Sequence, residues 1–150
     1  MRSVSAQSVI FVEPARVIRA FLDPVDLQGW WRAERTLIEP KVNGLYALGW
    51  GVTDKGYLYV STGTIVSLDP NRELRIDHFT YFNPEHGIFG PMELHVTAER
   101  VGPGQTRATV VQDGYRDGAS WDWFYNAVTD GWPLAVDYLR QYLEHPTTPK

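Results

Sequence analysis

The stretch that most limits how this chain can fold is ASWDWFYNAVTDGWPLAVDYLRQYLEHP, residues 119–146. It carries Trp121, Trp123, Phe124, Tyr125 and Trp132 within one short run. At about 100° per residue, Trp121, Phe124, Tyr125, Val128, Trp132, Ala135, Val136, Leu139, Tyr142 and Leu143 fall within about 60° of one line. Asp122, Asn126, Asp130, Asp137, Arg140, Gln141 and Glu144 lie outside that stripe. The pattern predicts a long amphipathic helix capped by Ser120, with Asp122 at the positive end of its dipole. Pro133 removes a backbone donor and crowds Thr129, which predicts a kink. Trp123, Leu134 and Tyr138 form a narrower apolar line on another flank. They read either as residues covered by short helices or loops, or as a homodimer contact.

A helix this rich in rings needs an apolar surface to press against, and the preceding sequence supplies strands. Val4–Val12 alternates loosely and reads as a first strand. EPARVIRAFLDP and DPVDLQGWW follow as two short helices, with Pro14 and Pro24 in their first turns and Asp23 as an N-cap. Strands are then predicted over Thr36–Glu39, Gly44–Trp50, Tyr57–Leu68, Glu73–Tyr81, Met92–Val101 and Thr106–Asp113, with turn-forming residues between them. The gaps are too short for crossover helices, so the strands are antiparallel. YFNPEHGIFGP reads as an irregular, mobile loop and HPTTPK as a frayed tail. Alternation turns Tyr46, Leu48 and Trp50 inward, together with Leu74, Ile76, His78, Met92, Leu94, Val96, Ala98, Thr106, Ala108, Val110 and Gln112. A bulge near Gly63 is expected to switch faces within GYLYVSTGTIVSL.

Length and composition narrow the function classes. The 150 residues fit one domain over 1–150, since no linker or repeat divides them. With 14 basic and 18 acidic residues and a net charge of −4, no basic patch marks a nucleic-acid binder. The chain has no cysteine, which excludes disulfides and thiolate chemistry. No apolar run of about 18 residues could span a bilayer, and a cytoplasmic protein without a membrane partner is expected. His78, His86, His95 and His145 lack metal-ligand spacing, so neither a metal nor a cofactor is expected. His86 is expected to be solvated, and His95 to lie on the outer face of the sheet.

EPARVIRAFLDPVDLQGWW, IEPKVNGLY, GTIVSLDPNREL, the Gly-Gln-Thr turn at 104–106 and DGWPLAVDYLRQYLE occur in that order. Together they resemble the activator of heat-shock-protein-ninety ATPase-like family, within the START-like (SRPBCC, birch-pollen-allergen-related) superfamily, over about residues 6–144. Asn43 and His78 depart from the family's usual glycine and large apolar residue. The resemblance implies an α+β helix-grip fold. In it a curved antiparallel sheet of about seven strands wraps a long C-terminal helix, two short helices follow the first strand, and a cavity lies between sheet and helix.

Rigid rings keep such a cavity open and suit flat apolar ligands. The candidate ligand-binding residues are Tyr46, Trp50, Ile76, His78, Met92, Leu94, Gln112, Trp121, Phe124, Tyr125, Val128 and Trp132. Trp30 and Trp31 pack the second short helix onto the sheet, near the cavity mouth. The leading functional reading is binding of a small hydrophobic or aromatic molecule. Two alternatives come from the resemblance. One is a polyketide cyclase/aromatase-like or hydrolase-like enzyme, with His78 as acid/base. The other is an interaction protein that stimulates a chaperone ATPase.

Overall fold

Short turns between alternating strands let each strand fold back on the one before it, and the computed structural model, which describes residues 2–145, shows this for most of the chain. The strands are β1 (Ser3–Ile10), β2 (Arg35–Ile38), β3 (Leu45–Thr53), β4 (Gly56–Asp69), β5 (Glu73–Asn83), β6 (Gly87–Gly102) and β7 (Gln105–Asp113). The helices are α1 (Pro14–Ala20), α2 (Pro24–Trp30) and α3 (Ala119–Glu144). All seven strands form one antiparallel sheet in the order β1-β7-β6-β5-β4-β3-β2. The expected helix-grip architecture is therefore present. The expected frayed tail falls on 146–150, outside the described residues.

Burial follows the predicted periodicity along α3. Every residue of its apolar stripe is buried or half-buried, and the polar positions are mostly exposed. The helix begins two residues earlier than expected: Gly118 is its N-cap, with no side-chain cap, instead of Ser120. It continues through Gly131 and Pro133 as one element.

Three irregularities in the ladders shape the inner face. Ile76 lies opposite Leu94 and Phe79 opposite Met92, which leaves β5 one residue longer than β6 between those pairs. The extra residue is absorbed at Asp77–His78, where His78 takes a φ of 54°. Alternation resets there, so Phe79 turns inward and His78 turns out. On β4 the extra residue is Val66, between the Ile65–Ile76 and Ser67–Arg75 pairs. Ser61, Gly63 and Ile65 stay inward before it, so the face switch comes later than the expected position near Gly63. The third lies on β6 at the cis Gly90–Pro91 bond, between the Phe89–Tyr81 and Met92–Phe79 pairs.

YFNPEHGIFGP, expected to be an irregular loop, is instead the end of the β5–β6 hairpin. Tyr81 pairs with Phe89, Phe82 with Ile88 and Asn83 with Gly87. The Asn83 side-chain oxygen accepts from the backbone N–H of Glu85 (2.9 Å) and His86 (3.1 Å), which closes the tight turn.

The short helices seal one end of the sheet. Asp23 caps α2 as predicted, accepting from Val25 N (2.8 Å) and Asp26 N (3.4 Å). Asp26 is only 5% exposed. Its carboxylate accepts two bonds from Arg16 of α1 (2.7 and 2.9 Å) and one from the Tyr142 hydroxyl of α3 (2.7 Å). One acid thus joins all three helices. Gly29 permits the approach, since a Cβ there would lie 2.3 Å from Tyr142 Cε1.

Burial pushes the Asp26 carboxyl up, but the bonds from Arg16 and Tyr142, with the charges of Arg16 and Arg19, outweigh it and hold the pKa below its ordinary value. A folded pKa below the unfolded one stabilises fully above the unfolded carboxyl pKa, about 3.9, and the contribution is lost as pH falls through the folded value. Asp26→Asn is therefore expected to lower stability at pH 7 by about 2 kcal/mol, the scale of hydrogen bonds to a charged group. It should also flatten the acid limb of stability against pH, as measured by urea unfolding from pH 7 down to pH 3.

Candidate functional site

Between α3 and the β3–β5 half of the sheet lies an open cleft of about 520 Å³. The sheet contributes Trp50 and Gly51 from β3, Tyr59 and Ser61 from β4, Phe79 and Tyr81 from β5, and Gln112 from β7. Helix α3 contributes Trp123, Phe124, Ala127, Val128, Gly131, Trp132 and Ala135, and Trp31 closes the end next to α2. Ala127, Gly131 and Ala135 recur every fourth residue. They form a strip of small side chains beside the large ones, and the helix leaves open space over that strip. A Cβ added at Gly131 would meet nothing within 4 Å.

The rings form two groups. At the α2 end, Trp31 meets Trp50 edge-on (centroids 5.5 Å apart, 68°) and tilts against Trp132 (5.2 Å, 46°). At the other end, Tyr59, Tyr81, Phe124 and Phe89 form a near-parallel row with successive centroid separations of 6.4, 5.5 and 4.4 Å. The hairpin tip reaches this end, where the His86 imidazole stacks on Trp123 at 3.5 Å and 13°. His86 is exposed, as expected, while one face of its ring stacks on Trp123.

Polar groups are few and mostly engaged. The Trp132 indole N–H donates to Gln112 Oε1 at 2.8 Å, and Gln112 Nε2 lies 3.5 Å from the sulfur of Met92. Gln112 is 3% exposed, so this bond ties α3 to β7 inside the protein. The Trp50 indole N–H donates to the Trp31 carbonyl at 3.0 Å. At the rim, Glu34 accepts from the backbone N–H of Gly51 (3.0 Å) and Val52 (3.2 Å), holding Gly51 at a φ of 66°. Burial raises the pKa of the Tyr81 hydroxyl, and nearby Tyr59 adds to the rise, so it remains a neutral donor at physiological pH.

Of the twelve candidate residues, Trp50, Gln112, Phe124, Val128 and Trp132 line the cleft. Tyr46, Ile76, Met92 and Leu94 are buried in the solid core beneath it. The Tyr46 hydroxyl donates to the Phe21 carbonyl at 2.6 Å, and burial pushes its pKa up. Trp121 and Tyr125 pack at the start of α3: Trp121 sits edge-on to Phe89 (5.3 Å), and Tyr125 lies under the Arg2 guanidinium (4.7 Å). The expected inward placement of His78 is overturned, because the β5 bulge leaves its side chain 71% exposed. That removes the acid/base group on which the enzyme alternative rested.

Phe79 and Tyr81 depart from simple alternation because the β5 bulge resets their facing, whereas Tyr59 and Ser61 escape it because the β4 bulge falls at Val66 and not near Gly63. The strip at Ala127, Gly131 and Ala135 was visible as a four-residue spacing of small side chains. Of the line read as either covered by short helices or loops or forming a homodimer contact, Trp123 lines the cleft beneath His86 of the β5–β6 turn, whereas Leu134 and Tyr138 are 59% and 50% exposed. His95 lies on the outer face as expected, where it is half-buried and pairs with Glu73 at 3.2 Å. Among the described residues no group of three or more His, Asp or Glu side chains could hold a metal ion, and no helix is long and apolar enough to cross a membrane.

Gln112→Leu leaves the buried Trp132 N–H without an acceptor and is expected to destabilise the protein by about 2 kcal/mol. Pairing it with Trp132→Phe removes the orphaned donor. In urea unfolding the double variant should therefore lose less than the sum of the two single variants.

The family model described as "Activator of Hsp90 ATPase homolog 1-like protein" matches residues 12–144. Among solved structures, protein MLL2253 from Mesorhizobium loti superposes with a TM-score of 0.75 at 20% identity, covering 98% of this chain and all of that one (100%). The Aha1 dimer from Colwellia psychrerythraea gives a TM-score of 0.72 at 17% identity, over 99% of this chain and 100% of its own. CalU16 from Micromonospora echinospora gives 0.70 at 18% identity, over 99% and 78%. At these identities the likeness extends to the fold. No curated protein matches the sequence. The fold and the family model agree, and this chain belongs to the family of activator of Hsp90 ATPase homolog 1-like proteins.

Proposed function

We propose that this protein binds a small, flat, apolar molecule, aromatic in character, in the cleft between α3 and the sheet, and that it does so in the cytoplasm. The observation that carries the reading is the lining itself: eight of its fifteen residues are aromatic and none is charged. A volume of about 520 Å³ lies within the range of small-molecule sites, which runs from about 300 to 1,000 Å³. Such a surface gains about 25 cal/mol for each Å² of apolar ligand area it removes from water. The Ser61, Tyr59 and Tyr81 side chains give that ligand a few polar contacts.

Titration with 2-naphthol tests the reading. Saturable quenching of tryptophan fluorescence is expected, since four indoles line the cleft. Gly131→Leu should fill open space without a clash and favour the helix by about 0.5–1 kcal/mol. It should weaken 2-naphthol binding by about tenfold or more, while His78→Gly leaves the affinity unchanged. Equal affinity in wild type and Gly131→Leu would overturn the assignment.

A second reading rests on Leu134 and Tyr138, which stand exposed on the outer side of α3. One structural relative is an Aha1 dimer and another is an Hsp90 activator from Plasmodium falciparum. In this reading the outer flank of α3 joins two copies, and the pair engages a chaperone. Tyr138→Glu should then lower the mass measured by sedimentation from dimer to monomer. An unchanged mass removes this flank from consideration.

A further inference from the structure

The cleft also carries a preference for the charge of its ligand, an inference that rests on reading the cleft as a binding site. An anionic headgroup buried there would be held best by a cation; the free donors of the lining are the neutral hydroxyls of Tyr59, Ser61 and Tyr81, whose oxygens can equally face a cation. The lining supplies no cation. The indole N–H groups of Trp50 and Trp132 already donate within the protein, and the Gln112 amide faces a sulfur atom. The charged group that the structure ties to the rim is an acid: Glu34, held on the N–H groups of Gly51 and Val52. Ring faces carry partial negative charge, so they repel an anion and attract a cation lying over them.

We propose that the cleft selects aromatic ligands bearing a permanent positive charge, such as an aryl ring carrying a quaternary ammonium, over carboxylated ligands of the same size. The flat ring occupies the apolar volume, and the cationic group lies over ring faces of the lining. Because attraction to ring faces acts at contact, it persists in salt that screens the field of the whole acidic protein.

Three probes of matched shape test this by calorimetry on the full chain: 2-naphthol, 2-naphthyl-trimethylammonium and 2-naphthoate. The ammonium probe is expected to bind about tenfold or more tighter than the carboxylate and no more weakly than the naphthol. The ratio should hold within about threefold when sodium chloride is raised from about 0.1 to 0.5 M, and in Glu34→Gln. If naphthol binds but ammonium and carboxylate bind equally, or carboxylate binds better, the charge preference is overturned and the binding site stands. A preference that vanishes in high salt also overturns it, since the long-range field then explains the ratio. If none of the three binds, the binding reading fails and takes this inference with it.

Discussion

The hydrogen bond from the Trp132 indole to Gln112 is the one on which the interior depends. It joins the middle of α3 to the last strand through two side chains that are almost wholly buried. An indole cannot slide along the sheet without leaving both groups unpaired, so this bond sets the height of α3 above the strands. The Asp26 cluster does the same work nearer the C-terminal end of α3, through Tyr142. With both anchors fixed, and Phe124 stacked on Phe89 at 4.4 Å, the stretch from Phe124 to Ala135 bridges the sheet instead of collapsing onto it.

What lies beneath that bridge follows from side-chain size. Where α3 offers Leu139 and Leu143, the space is filled and buried. Where it offers Ala127, Gly131 and Ala135, the opposing rings of β3, β4 and β5 have nothing to touch. Large flat side chains have few rotamers and brace one another edge-on or in parallel, so they do not fold into the gap. The same choice of residues leaves the walls without charge, and the cleft is therefore electrostatically one-sided.

The sequence carried the periodic parts of this structure plainly. The ten-residue stripe of α3, the Asp23 cap and the inward sets of β3, β6 and β7 all follow from spacing alone. The departures sit where one residue is added to a ladder. Whether Asp77–His78 bulges depends on how Phe79 packs against Met92 and Gly63, which no local pattern encodes. That one displaced residue moved His78 out and brought Phe79 and Tyr81 in, so the lining was legible on the helix and half-hidden on the sheet. The β5–β6 turn was hidden for another reason. Pro84, Gly87, Gly90 and Pro91 signal interruption, although Asn83 supplies a turn and the strand tolerates its proline at a bulge.

The pairing of β1 with β7 bears on how the protein is made. Ser3 lies beside Asp113 and Ile10 beside Thr106, so the first strand has no partner until nearly three-quarters of the polypeptide exists. On the ribosome, β2 to β6 can zip together hairpin by hairpin while β1 and its apolar face wait. Closure of so distant a pair is entropically slow, and it coincides with the emergence of the helix that covers the same strand. Sheet completion and burial of the aromatic helix are thus one late, cooperative step, and nascent chains shorter than this leave the inner face of the sheet and the apolar face of β1 uncovered.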